Sequence, residues 1–309
     1  MIEHTFGGNW TYEKLERVRK YLEAYTQIMK KRRYSYSYID AFAGTGYINA
    51  KEDIADEELQ ISLPELVTSE VKEFVDGSAR VALQVEPRFK KYIFIEKSKE
   101  KAAQLEKLRY DFPEQAEDIE VLRGDANQKL LELCQKSWNR ERTVLFLDPY
   151  GMQIPWNTME RIAATNAIDL WYLFPIGVAI NRLLKRDGNI SDSVRNRLNE
   201  AFGESDWFDM FYRVSQTSDI FGERNILLEK TADFEIIKEY FIGRLADVFS
   251  GVARNPLWLT NSKNTPLYLL CFACSNKHAA EVATKIAQEI LNPPTAKGKP
   301  DTDTQLSLL

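Results

Sequence analysis

Two kinds of apolar pattern alternate along the chain. Short continuous runs occupy residues 36–40, 91–96, 119–123, 143–147 and 168–174. Between them lie segments whose apolar residues recur every three or four positions, near 78–85 and over 98–111, 127–138 and 155–165. Continuous apolar runs alternating with amphipathic helices describe strands buried on both faces, hence a parallel sheet covered on both sides. Further on, 232–249 and 277–291 read as helices. The runs 256–260 and 267–274 read as strands joined by a turn at Asn261-Ser262-Lys263-Asn264. At the start, Leu15, Val18, Tyr21, Leu22, Tyr25, Ile28 and Met29 predict a helix over 11–33. The expected fold class is α/β: a seven-stranded, mostly parallel sheet with helices on both faces and helical insertions.

Three stretches interrupt this rhythm. Residues 51–76 hold nine acids and two lysines and read as an inserted acidic segment, mobile in part. Residues 178–230 read as an irregular helical insertion broken at Gly188, Asn189 and Gly203. Residues 293–309, rich in Pro, Lys, Gly and Thr, read as a disordered tail. The remainder, 1–292, is expected to be a single domain.

Composition narrows the function classes. The 309 residues are 44% hydrophobic with a formal net charge of -5, which fits a globular core and argues against a uniformly basic nucleic-acid binder. No apolar run is long enough to span a bilayer, and the polar N-terminus offers no signal-peptide core. Three cysteines without an export signal point to a reducing cytoplasm. Two histidines, His4 and His278, leave little room for a His-based metal site or a Ser-His-Asp triad. Cys271 and Cys274 form a CxxC pair inside a strand-like run. Residues three apart on a strand face opposite sides of the sheet, so both are read as core cysteines and no metal site is expected.

Chemistry gathers at the strand ends, where parallel α/β sheets bind ligands. The first strand ends Asp40-Ala-Phe-Ala-Gly44-Thr45-Gly46, the second at Glu96, the third is followed by Gly124-Asp125, and the fourth ends Asp148-Pro149-Tyr150-Gly151. An acid at a strand end is often only a cap for the next helix; four in succession are harder to dismiss. Gly44 and Gly46 permit close backbone approach. Asp40 in front of that loop suits a cationic ammonium and disfavours an anionic pyrophosphate, which argues against a nicotinamide-dependent oxidoreductase. Glu96 suits a pair of ribose hydroxyls, and Asp125, with Asn127 nearby, an adenine amine. Asp148 and the Pro149 carbonyl can accept both hydrogens of an exocyclic amine and draw its nitrogen toward tetrahedral geometry. Tyr150 can stack on a planar substrate.

These segments resemble the ordered motifs of class I methyltransferases, which implies a Rossmann-like fold and S-adenosyl-L-methionine as cofactor. At the positions that match, the resemblance implies cofactor contacts from Asp40, Phe42, Gly44, Gly46, Glu96, Asp125 and Ala126, and catalytic roles for Asp148, Pro149 and Tyr150. The opening block Phe6-Gly7-Gly8-Asn9-Trp10-Thr11, with Lys14-Leu15 and Tyr21 to Tyr25, and the late run Leu267 to Ala273 are similar to the three-Cys-motif partner protein family. That likeness covers about residues 4–292 and implies a partner protein bearing a three-cysteine cluster. It also implies, for many members, a C-terminal winged-helix segment that the chain is too short to hold. Asp-Pro-Tyr-Gly lacks the second proline of the common amine-methyltransferase motif and is similar to the Asp-Pro-Phe-Gly of some tRNA guanine methyltransferases.

The expected activity is methyl transfer to an exocyclic amine of a nucleobase in DNA or RNA. The alternative is a non-catalytic or cofactor-binding module that works through its partner. Two basic stretches are candidate contacts to nucleic acid. Residues 13–33 carry eight cations against three acids. The later insertion carries Arg182, Lys185, Arg186, Arg195 and Arg197.

Overall fold

The computed structural model describes residues 9–45, 47–48, 75–218 and 224–292. Gly46, most of the acidic segment 51–76 and the tail 293–309 lie outside the described residues.

Five parallel strands form the body of the main sheet: β1 (Ser35–Asp40), β2 (Lys91–Glu96), β3 (Ile119–Arg123), β4 (Glu141–Leu147) and β5 (Ile168–Phe174). The edge is built from two short pieces, β6 (Gly251–Val252) and β7 (Leu257–Thr260). Both pair with one long antiparallel strand, β8 (Pro266–Cys274), whose other side pairs with β5. Pro256, which has no N–H to give to a ladder, stands directly before β7. The order across the sheet is β3-β2-β1-β4-β5-β8 and then the split edge. This is a Rossmann-like class I methyltransferase architecture, with the seventh strand position divided in two.

Period-two alternation sends side chains to two separate cores. Tyr38, Phe94, Phe146, Trp171, Phe272 and Cys274 face one side. They are covered there by α1 (Asn9–Met29), α2 (Ser78–Leu83) and α8 (Ala280–Leu291). Ile39, Ile95, Leu145, Leu170, Tyr172 and Cys271 face the other. That face is covered by α4 (Ala126–Cys134), α5 (Trp156–Ala164) and α7 (Phe234–Val248). Cys271 and Cys274 thus lie in opposite cores, as their spacing requires.

Two expectations need correction. The N-terminal helix ends at Met29 rather than residue 33. Its apolar stripe stops there, and the four consecutive cations Lys30 to Arg33 have no buried side to anchor them. The end of the 178–230 insertion is not helical: Tyr212–Ser218 and Arg224–Lys230 pair as an antiparallel hairpin. Tyr212, Val214 and Thr217 favour extended backbone, and the segment lacks a helical repeat. The earlier part is helical, including Asp192–Phe202, which ends on a left-handed Gly203 at φ +78°. No helix among the described residues is long and apolar enough to cross a membrane.

Candidate active site at the strand tips

Strand order reverses about β1, whose neighbours β2 and β4 lead to opposite halves of the sheet. The crevice at such a reversal, at the carboxyl ends of the strands, is where open α/β sheets bind ligands. Asp40, the last residue of β1, is in register with Phe94 of β2 and Phe146 of β4. Glu96 and Asp148 therefore each stand two residues beyond that register, on either side of Asp40. All three share the alternation of Tyr38, Phe94 and Phe146, the residues that face α1.

Asp40 is fully buried. One carboxylate oxygen accepts the Phe42 N–H at 3.2 Å; the other has no hydrogen-bond partner within 3.5 Å among the described residues. Burial pushes its carboxyl up to about 7, with nearby Asp148 pushing the same way. Ser78, the Phe42 amide and Lys14 pull against that shift. An acceptor atom buried without a donor favours a ligand that brings one, and a cationic ligand most of all. Tyr38, two residues earlier on the same face, has a buried hydroxyl beside Asp40, and burial, then the Asp40 charge, pushes its phenol up.

Glu96 ties two tips together. Its carboxylate accepts the Gly44 N–H at 3.1 Å and the Ser98 N–H at 2.7 Å. A carboxylate has about four lone-pair sites, so acceptor capacity remains for hydroxyl groups. Gly44 is left-handed at φ +61°, and a Cβ built there would meet no atom of the described residues within 4 Å. The loop thus leaves room above the backbone where a ligand would lie. Phe42 is half-buried against the β1 face opposite α1.

Asp125 sits where the sequence placed it, but its chemistry there is that of a helix cap. One oxygen accepts from the Asn127 and Gln128 amides at 3.0 and 3.2 Å at the start of α4. Ala126 is buried in the first turn of α4. Asn127 spans to the next tip. Its amide donates to the Gln153 carbonyl at 2.7 Å, and its oxygen accepts from Thr158 at 3.3 Å, bracing the loop that carries Asp148.

Asp148-Pro149-Tyr150-Gly151 follows β4 directly. Pro149 is buried, Tyr150 is exposed at the tip with the Lys101 ammonium 5.9 Å from its ring centroid, and Gly151 turns at φ +72°. The Asp148 carboxylate is ion-paired with the Lys14 ammonium from α1. Lys14 is only 5% exposed and lies over the rings of Trp10 and Phe146, at 5.4 and 5.9 Å from their centroids. Trp10 in turn stacks on Tyr268 of β8 at 5.1 Å. Burial, then the Asp148 charge, pushes the Tyr268 phenol up, while Arg182 pulls it down.

The sequence reading missed Lys14, Trp10 and Tyr268 as parts of this site. Lys14 was counted among cations available to phosphate, but it is consumed by Asp148. Arg17 pairs with Glu13 and donates to the Ile290 carbonyl, and Arg19 pairs with Glu16 and Glu23. The helical part of 13–33 therefore spends most of its cations internally, and only residues 30–33 stay exposed and unpaired among the described residues. In the later stretch, Arg195 stacks on Phe208 at 3.9 Å, whereas Arg182 lies near the Tyr268 wall of the site.

No family model and no curated protein matches the chain. Solved structures similar to it include protein LPL1258 from Legionella pneumophila str. Philadelphia 1, at 12% identity and TM-score 0.47, over 92% of each chain. They also include a spermidine synthase in complex with a transition-state analogue, at 10% identity and TM-score 0.38, over 92% of this chain and 63% of that one. A third is the O-methyltransferase TomG from Streptomyces achromogenes, at 14% identity and TM-score 0.33, over 70% and 80%. The assignment of the fold rests on the chain's own strand order, and that of the site on its own residues.

Proposed function

We propose that this chain is an S-adenosyl-L-methionine-dependent methyltransferase whose acceptor is an exocyclic amine of a nucleobase in DNA or RNA. The observation that carries this reading is the row of Glu96, Asp40 and Asp148 on three adjacent strand tips, with a buried Asp40 oxygen that has no donor among the described residues. S-adenosyl-L-methionine, when bound, supplies an electrophilic methyl group on a sulfonium. Asp40 would hold the ammonium of its methionine part, Glu96 its ribose hydroxyls, and Gly44 the close approach of the loop. Phe42, Gly46, Asp125 and Ala126 complete the proposed cofactor set. Asp125 then serves as cap and contact with different oxygens.

Asp148 would accept one hydrogen of the target amine and the Pro149 carbonyl the other. Both bonds favour the nitrogen as its lone pair leaves conjugation with the ring. Lys14 holds one Asp148 oxygen from behind, which fixes the carboxylate and leaves the other oxygen for the amine. Tyr150, exposed beside Asp148, would stack on the base, and Arg182 stands near for a phosphate. Catalysis on such a site is mainly positioning. Titration calorimetry with S-adenosyl-L-methionine, followed by labelled methyl transfer to total RNA and DNA, tests the reading. Binding and transfer to nucleic acid are expected. Absence of binding overturns the enzyme, and binding without transfer to any nucleic acid favours a cofactor-holding module that acts through a partner.

A further inference from the structure

The two ends of the main sheet gather different charged groups. The carboxyl ends of β1 to β4 bear Asp40, Glu96, Asp125 and Asp148 beside Lys97, Arg123 and the ion-paired Lys14. At the other end, the turn into β1 presents Lys30, Lys31, Arg32 and Arg33, all exposed. The Lys90 amide bonds to the Tyr36 carbonyl at 3.0 Å, and the Ser35 amide to the Arg140 carbonyl at 3.0 Å. Exposed Lys90 and Arg140 thus flank the same turn. The Arg142 guanidinium lies 4.1 Å from the ring centroid of Tyr34, which is 41% exposed among these cations. No carboxylate among the described residues pairs with any of the four turn cations, with Lys90, or with Arg140. Acids at this end include Glu86, Glu114, Glu117, Asp118, Glu120 and Glu141; Glu120 is taken up by Lys91 at 2.6 Å and Glu114 lies 3.9 Å from Arg88, while buried Asp169 stands near Arg142.

We infer that this basic pole, centred on Lys30 to Arg33, is a docking surface for the phosphate backbone of a nucleic acid, remote from the strand tips. The inference rests on the nucleic-acid part of the proposed function. The carboxylates at the tips repel a polyanion, so a backbone that delivers a base there gains from a second hold elsewhere. Unpaired Lys and Arg supply sequence-independent, salt-sensitive attraction, and Tyr34 under Arg142 adds an aromatic surface of the kind that stacks with bases. Strands of five to seven residues put the pole about 20 Å from the tips, or roughly six base-pair steps of duplex. A substrate that uses both ends must be longer than that.

The test is fluorescence-anisotropy binding of labelled single-stranded RNA and duplex DNA over a series of salt concentrations. The wild-type chain is compared with Lys31→Glu/Arg33→Glu and with the charge-matched Arg161→Glu/Lys285→Glu, which alters exposed positions on α5 and α8. The pole variant should bind at least about tenfold more weakly, with the salt slope reduced by about two, while the matched variant keeps both within about twofold. Whichever nucleic acid shows this difference is the one that docks. Equal loss in both variants overturns the inference, as does a wild-type chain that binds neither nucleic acid. Binding of polyglutamate in preference to both also overturns it and makes the pole a surface for an acidic protein. Methylation of nucleic acid with unchanged affinity in the pole variant removes the pole and keeps the enzyme. Pole-dependent binding without methylation does the reverse.

Discussion

The Lys14 ammonium reaches from α1 to the Asp148 carboxylate across 134 positions of sequence. It does so from a site almost closed to water, over the rings of Trp10 and Phe146. The helix that covers the sheet is thereby part of the candidate site. Lys14→Met keeps the length and apolar stem of the side chain and removes only its charge. Asp148, with 27% of its side chain exposed, can then rehydrate and turn away. The expected result is a fall in kcat of about 10- to 100-fold, since the orientation of the amine acceptor is lost, with a smaller change in S-adenosyl-L-methionine affinity through the Lys14 charge near Asp40. Steady-state kinetics beside calorimetry check this.

Asp40 links cofactor binding to pH. Its carboxyl is pushed up to about 7 by burial, against an ordinary value of 3.8. Between those values the folded chain binds a proton that the unfolded chain has released. Stability therefore falls as pH rises from the unfolded value to about 7, and the loss is complete above it. The ionised form is the one that attracts a cationic ammonium, so cofactor affinity should increase as pH rises through about 7. Asp40→Asn should flatten that pH dependence and weaken binding by about 10- to 100-fold. The same variant should be more stable than wild type at pH 8 and little different at low pH. Thermal melts and calorimetry at two pH values measure both effects.

Tyr150 stands exposed at the tip, with the Lys101 ammonium 5.9 Å from its ring centroid. Tyr150→Ala should raise KM for a nucleic-acid substrate by about tenfold or more, the usual worth of one base–aromatic stack. Tyr150→Phe should stay near wild type. Equal damage from both substitutions would assign the role to the hydroxyl instead.

Gly44 combines a left-handed backbone with space above it among the described residues. Gly44→Ala should cost about 1 kcal/mol of stability through strain alone. Gly44→Val adds methyl groups to the space a cofactor would fill, so affinity should fall much further than stability does. Comparison of Tm with dissociation constants for the two variants separates these contributions.

Much of the sheet was legible because buried strands are continuous apolar runs. Lys91–Glu96, Ile119–Arg123 and Ile168–Phe174 begin and end where the pattern puts them. The acids at the tips of β1, β2 and β4, Asp40, Glu96 and Asp148, were legible for the same reason: a strand that ends in the core announces the first polar residue after it. The ion pair of Lys14 with Asp148 was not, because nothing local in a basic helix marks which lysine turns inward. Arg17 and Arg19 look alike in sequence, yet they serve helix ends and i,i+4 pairs. Asp125 shows the opposite ambiguity, since a strand-tip acid and a helix cap occupy the same position. The hairpin of Tyr212–Ser218 with Arg224–Lys230 was hidden by the helical segments before it.

The most direct measurement is nucleoside analysis by mass spectrometry of RNA and DNA treated with the chain and S-adenosyl-L-methionine, for wild type and for Asp148→Ala. A base methylated on its exocyclic amine is expected with wild type. In the variant it should fall by about 100-fold or more while the cofactor still binds. Undiminished product from Asp148→Ala, or methylation only at a ring carbon or a sugar hydroxyl, would contradict the role given to the fourth strand tip.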